Sequence, residues 1–236
     1  MSRPNPTFLL MPWEIYIHMV FLPLNIILFL RDSRNIRLEL KLLGLFFLVT
    51  YPFEWYASFV QVQGGTNNLF VYHLLVPVQY LVFALIYYFA IASAAVKKLI
   101  LGSIPCYSVV SAWLTLTVEP FEIYNSFAIM LENALLALWV LVYYKELFLR
   151  RTLVVLKREP IFWISTGLLF FSVGDFFAEG LMATLIWLDP QLANALFYAI
   201  YVPLLFFFYL MFTTAFVCRE LFKSEVRLQV AEGNVY

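Results

Sequence analysis

Seven long apolar runs, separated by short polar connections, leave this chain few ways to fold. They cover roughly 14–30, 42–61, 69–91, 99–118, 121–144, 161–188 and 192–217. About 20 mostly apolar residues cross the hydrocarbon core of a bilayer as a helix, and a helix satisfies its own backbone hydrogen bonds where no water can. The runs therefore predict an all-α membrane protein, one domain of seven transmembrane helices followed by a short cytoplasmic tail over 218–236. A composition 64% hydrophobic and 13% charged lies outside the soluble range, and the connections are too short to hold a soluble domain. The first run carries Glu14 and His18 and has no small-residue cleavage site before the basic segment that follows. It reads as a spanning helix and not as a signal peptide.

Positive charge sets the expected orientation. Taking alternate connections together collects Arg31, Arg34, Arg37, Lys41, Lys97, Lys98, Lys145, Arg150, Arg151, Lys157, Arg158, Arg219, Lys223 and Arg227 on one side, leaving Arg3 alone of the 15 basic residues opposite. Cytoplasmic connections carry the excess of Lys and Arg, so the N-terminus is expected outside and the C-terminus inside, in the plasma (inner) membrane. Membrane lipid is the partner this composition requires. The basic stretch 145–159, with Leu147, Leu149, Leu153, Val154 and Leu156, reads as a short surface helix that anchors in the interface or docks a cytoplasmic signalling protein. Cys106 and Cys218 stand in no C-x-x-C pair and read as small packing residues. No cofactor, metal or nucleic-acid partner is expected.

A ten-residue pattern occurs twice, as Asn68-Leu-Phe-Val-Tyr72-His73-Leu-Leu-Val-Pro77 and Asn194-Ala-Leu-Phe-Tyr198-Ala-Ile-Tyr201-Val-Pro203. Pro12-Trp13-Glu14-Ile15-Tyr16 is echoed by Pro120-Phe121-Glu122-Ile123-Tyr124, and Gly44-Leu-Phe-Phe47 by Gly167-Leu-Leu-Phe170. Helices one to three then overlay helices five to seven with helix four as a linker, a 3+1+3 parallel pseudo-repeat. The competing account is chance similarity of segments under one compositional pressure.

Polar residues are few and fall in stripes. Tyr51, Glu54, Ser58 and Gln61 recur at helical spacing on the second run, and Asn68, Tyr72 and Gln79 share a face of the third, with His73 turned about 100° away. Glu132 lies seven residues beyond Asn125 on one face of the fifth; Ser172, Asp175 and Glu179 share a face of the sixth; Asn194, Tyr198 and Tyr201 share one of the seventh. Ionisable groups in spanning helices cost a few kcal/mol and face a bundle interior or a cavity. Glu54, Tyr72, His73, Gln79, Glu132, Asp175, Glu179, Asn194 and Tyr198 are thus the candidate ligand-binding set, with Pro23, Pro52, Pro77 and Pro203 as hinges. Four acids and several tyrosines suit a small polar or cationic ligand, an ion or protons. The bland alternative is a network that only locks helices together.

Three functions compete on this reading. The first is a sensor or receptor-like subunit that binds outside and signals to a cytoplasmic partner. The second is a small-molecule or proton-linked transporter. The third is an intramembrane lipid hydrolase, which is weak because two histidines without ligand spacing make a poor metal site and no serine has a nucleophile motif around it; no catalytic residue is assigned.

Seven helices in a three-plus-one-plus-three order resemble the grouping of SWEET-type transporters, microbial rhodopsins and seven-helix receptors. A rhodopsin needs a lysine in the seventh helix, and none stands there, so no retinal is expected; the Pro-Gln signature of PQ-loop transporters is also missing. Thr66-Asn67-Asn68-Leu69 leading into Tyr72-His73, Glu132, and Pro160-Ile-Phe-Trp163-Ile-Ser-Thr-Gly167 resemble an uncharacterised family of bacterial seven-helix membrane proteins, some associated with sensor-kinase genes. That resemblance implies a sensor and carries no catalytic role. Gly167-Leu-Leu-Phe-Phe-Ser172-Val-Gly174-Asp175 resembles a short segment of the lysoplasmalogenase family in a different helix.

Overall fold

The structure is a computed structural model that describes residues 13–32, 36–63, 68–149 and 156–221. Among them are seven α-helices, one 3-10 turn and no strand. The helices are α1 (Trp13–Asp32), α2 (Leu38–Val62), α3 (Phe70–Ala90), α4 (Ala94–Thr117), α5 (Ser126–Leu149), α6 (Pro160–Leu188) and α7 (Pro190–Leu221). Six of them, α2 to α7, contain a stretch long and apolar enough to cross a membrane, and α1 carries a shorter apolar stretch at Ile15–Arg31. The chain is a membrane-embedded helical bundle.

Local chemistry moves several boundaries away from the apolar runs. Helix four is expected from 99, yet α4 starts at Ala94, because Ser93 accepts a hydrogen bond from the Val96 amide and the Glu146 carboxylate takes the amides of Ala92 and Ser93 at 2.7 and 3.1 Å. α7 starts at Pro190, where Asp189 Oδ1 caps the amides of Gln191 and Leu192 at 3.1 and 3.0 Å and proline suits the first helical position. Helix five is expected from 121, but α5 begins at Ser126. Pro120–Tyr124 is a turn, its Ile123 carbonyl bonded to His73, and the helix starts where the Ile129 amide reaches the Asn125 carbonyl. The echo of Pro12–Tyr16 therefore adopts a different conformation: Glu14 to Tyr16 lie within α1, whereas Glu122 to Tyr124 lie outside α5. Of the expected surface helix over 145–159, Leu147 and Leu149 extend α5, Leu156–Arg158 form the 3-10 turn, and Leu153 and Val154 lie outside the described residues.

Two ends of the bundle follow from contacts between connections. At one end Arg37, before α2, pairs with Glu39 and with Glu159 beyond α5, Glu146 holds the α3–α4 connection, and Cys218 of α7 reaches the Arg158 carbonyl. Arg31, Arg37, Lys41, Lys97, Lys98, Lys145, Lys157 and Arg158 all belong to this basic end. At the other, Asn68 bonds the Ala57 carbonyl and His73 the Ile123 carbonyl.

Six helices close a ring: α1 packs on α2 and α7, α2 on α3, α3 on α5, α5 on α6 and α6 on α7, while α4 lies outside against α3 and α5. Aromatic side chains fill the ring toward its basic end, with Phe46, Phe47, Phe83, Phe208 and Phe212 buried and their ring centroids 4.1 to 6.0 Å apart in successive pairs. Such offset and edge-on pairs add about 0.5–1.5 kcal/mol each beyond burial. Pro23, Pro52, Pro77 and Pro203 all lie inside helices that continue past them.

The most extensive joint is α6 against α7, where small residues permit close approach. A Cβ on Gly167 would sit 2.7 Å from Met211 Cβ, and one on Gly174 would meet the Leu204 side chain. Gly167→Leu is expected to lower the unfolding temperature in detergent, corresponding to about 1–3 kcal/mol of overpacking, whereas the same change at Gly102, which faces open space, leaves it nearly unchanged.

Candidate functional site

The polar stripes converge. Between the aromatic fill and the opposite end, α1, α2, α3, α5, α6 and α7 enclose a cavity of about 80 Å³, room for a few water molecules or an ion with part of its hydration. Its polar wall is His18 from α1, Thr50 and Glu54 from α2, Tyr72 and Gln79 from α3, Tyr124 before α5, Glu132 and Asn133 from α5, and Tyr201 and Tyr209 from α7. Phe46, Phe171 and Phe208 separate it from the apolar half.

Glu54, Tyr72, Gln79 and Glu132, four of the nine residues expected at the site, line this cavity. Asp175 stands behind it: Asn133 Nδ2 donates to Asp175 Oδ2 at 2.8 Å, so the lining amide connects the α6 carboxyl to the cavity wall. Glu179, one turn further along α6, is buried and has Tyr124, Ser126 and Asp175 as its electrostatic neighbours. Tyr198 is half-buried on α7 and outside the cavity lining. The Asn194 side chain lies outside the described residues, as do those of Glu14 and Gln61.

His73 is turned away from the cavity. Its ring bonds Thr115 Oγ1 of α4 at 2.9 Å and the Ile123 carbonyl at 2.8 Å, and packs edge-on against Phe121. Both ring nitrogens are engaged by protein, and they tie α3 to α4 and to the turn before α5. Glu119 in that turn supports the same joint, since its carboxylate accepts from the Phe127 amide at 3.1 and 3.3 Å at the start of α5. Burial pushes the Glu119 carboxyl up from its ordinary value, while the Phe127 amide and the neighbouring His73 oppose the shift.

His18, Thr50, Tyr124, Asn133, Tyr201 and Tyr209 join the site without having been expected there. On sequence spacing His18 shares a face with Glu14, but in the fold its Nδ1 lies 3.1 Å from Glu54 Oε2 across the α1–α2 joint, with its ring edge-on to Tyr209. Asn133 and Tyr201 have a visible signal, as polar neighbours of Glu132 and Tyr198. Thr50 has none, being one threonine on an apolar helix.

Three oxygens give the site its chemical character. Glu132 Oε1 and Thr50 Oγ1 in the wall, and Asp175 Oδ1 behind it, are buried without a hydrogen-bond partner, on residues 3%, 2% and 3% exposed. Acceptors left unmet in the interior cost about 1–3 kcal/mol each. Two of the three belong to residues that line the cavity. No Lys or Arg lines it, and among the described residues no three His, Cys, Asp or Glu side chains gather as a metal-ligand cluster.

Fold and site together define a membrane-embedded seven-helix bundle with an acceptor-rich polar cavity. Comparison of the chain with protein-family models, with curated proteins and with solved structures gives no match.

The geometry separates a joint from a binding wall by their effects on stability. His73→Phe strands the Ile123 carbonyl and breaks the tie to Thr115, whose hydroxyl keeps its bond to the Ser111 carbonyl, and is expected to cost about 1–3 kcal/mol, seen as a lower unfolding temperature. Glu132→Gln, at an equally buried position, removes a carboxyl whose Oε1 has no partner, and is expected to leave the unfolding temperature unchanged or raise it.

Proposed function

We propose that this chain is an integral plasma-membrane protein that crosses the bilayer seven times, N-terminus outside and C-terminus cytoplasmic, and acts as a sensor or receptor-like subunit. A small polar or cationic ligand enters the acceptor-rich cavity, and occupancy is read at the basic end by a cytoplasmic signalling protein. The observation that carries this reading is the set of unpartnered oxygens on Glu132, Thr50 and Asp175. A network serving only to lock helices would spend its acceptors on neighbouring helices, as Asn133 does with Asp175 Oδ2.

Several features support the rest. Every basic residue named above at one end belongs to the side that the positive-inside rule makes cytoplasmic. The cavity then lies in the outer half, with a continuous aromatic layer beneath it. Phe46 and Phe208 touch both cavity and layer, and the Arg37–Glu159 pair below joins the α1–α2 connection to the α5–α6 connection. The resemblance to bacterial seven-helix proteins associated with sensor kinases points the same way.

Transport is the second reading, favoured by a trace of the 3+1+3 repeat. At the spacing that superposes Asn68 on Asn194, Leu75 matches Tyr201 and Gln79 matches Leu205, and all four residues line the one cavity. The aromatic layer opposes a through-path in this conformation.

Thermal unfolding in the presence of sodium, ammonium, methylammonium and neutral methanol tests the binding reading. A cation is expected to raise the unfolding temperature, and Glu132→Gln and Asp175→Asn, both still folded, to abolish that rise. Proteoliposomes then divide the two functions: saturable binding without flux supports the sensor, and flux of the bound cation supports the transporter.

A further inference from the structure

A second cavity, of about 260 Å³, opens between α1 and α2, lined by His18, Met19 and Leu22 on one side and Tyr51, Glu54, Trp55 and Ser58 on the other. His18 and Glu54 are the two residues common to both linings. The bonded pair thus borders both the interior cavity and the groove. At about 1.5 Å per residue, His18 lies about 8 Å along α1 from Trp13 and Glu54 about 12 Å along α2 from Val62. On helices of this length that depth is within one leaflet and not at the aqueous surface.

The groove has the two-part chemistry of an amphiphile site. Its floor is polar, with His18, Glu54 and Ser58 buried, and its rim is apolar and open, Met19 being 45% and Trp55 55% exposed. Charge selects the head group: neither lining contains Lys or Arg, while Glu54 in the shared pair and Glu132 in the interior wall supply carboxyls, with Asp175 behind. Tyr51 flanks the floor with an aromatic face that attracts a cation, whereas Trp55 belongs to the apolar rim.

We infer that the α1–α2 groove is a lateral portal through which an amine-headed amphiphile reaches the interior cavity from the membrane, its alkyl chain lying against Met19, Leu22 and Trp55 and its ammonium exchanging for the His18–Glu54 contact. This rests on the reading of the interior cavity as a binding site and names the class of ligand it takes. A compact primary amine fits the roughly 80 Å³ interior space, and the chain remains in the groove.

The ammonium head could also arrive from water on a short amine, so the test compares both sources. The full chain in lipid nanodiscs is heated with decylammonium, with methylammonium and with decanoate. Decylammonium is expected to raise the unfolding temperature at concentrations about a hundredfold below those at which methylammonium does, in keeping with about 0.8 kcal/mol per buried methylene for the few that enter the groove, and decanoate to give no rise. Met19→Trp, which fills the open rim, and Trp55→Ala, which removes its wall, are each expected to weaken the decylammonium response about tenfold or more while leaving the methylammonium response intact. Both positions are exposed, and unchanged ligand-free unfolding temperatures establish that the variants fold. Equal potency of the two amines, or a decylammonium response untouched in both folded variants, overturns the portal and leaves the interior site standing. A rise with decanoate as large as with decylammonium also overturns it, since the charge selection then fails. No response to any amine overturns the portal and the interior binding site together.

Discussion

The arrangement of this bundle depends on the cost of leaving a buried polar group without a partner. In a chain surrounded by hydrocarbon, an exposed carboxyl on the outer face of a helix has neither water nor protein to bond. Glu54, Glu132, Asp175 and Glu179 arise on three different helices, and all are buried. Turning all of them inward fixes the rotation of α2, α5 and α6 about their own axes. Closing the ring through α1 and α7 then gives the polar space a wall. α4, whose buried side chains are Ile100, Tyr107, Ser111 and Thr115, brings no acid and packs outside. The ring thus shelters all four of these acids.

Within that enclosure the partners are distributed unevenly. Glu54 has His18, and Asp175 has Asn133 on one of its oxygens, whereas Glu132 Oε1 has nothing. His73 shows the opposite economy, with each ring nitrogen placed against a protein oxygen. Two buried ionisable groups therefore serve different ends: one fastens three elements together, and the other keeps an oxygen without a hydrogen-bond partner. The distinction lies in where bonds are unmade, which matters more than burial or charge alone.

Much of this was legible in the residues, and the remainder failed for definable reasons. Apolar runs gave the helices because only a helix closes its own hydrogen bonds in lipid, but the runs end where hydrophobicity ends, and helices end where caps form. Ser93, Asp189 and Asn125 moved three boundaries for that reason. Helical spacing put Glu54, Tyr72, Gln79 and Glu132 on the faces that meet in the cavity. The same spacing had turned His73 aside by about 100°, and its chemistry, not its direction, placed it among the candidates. His18 went unassigned because spacing along one helix offers only Glu14 as a neighbour, while the contact with Glu54 exists only after α1 packs on α2. Pairing across a ring is a tertiary fact that no periodicity within one element encodes.

The two copies of the Asn-Tyr-Val-Pro pattern bear on how such a site acquires a direction. Positions of α3 and α7 that the pattern's spacing aligns line one cavity, with Gln79 aligned to Leu205 and Leu75 to Tyr201, so each aligned pair brings one polar group. His73 and Ala199 differ more sharply, because the histidine recruits the turn before α5, and that turn delivers Tyr124 to the cavity. The polar wall draws equally on both sides of the ring, with five residues from α1, α2 and α3 and five from α5, α7 and the turn before α5, and the His18–Glu54 contact and the lateral groove lie on the first side.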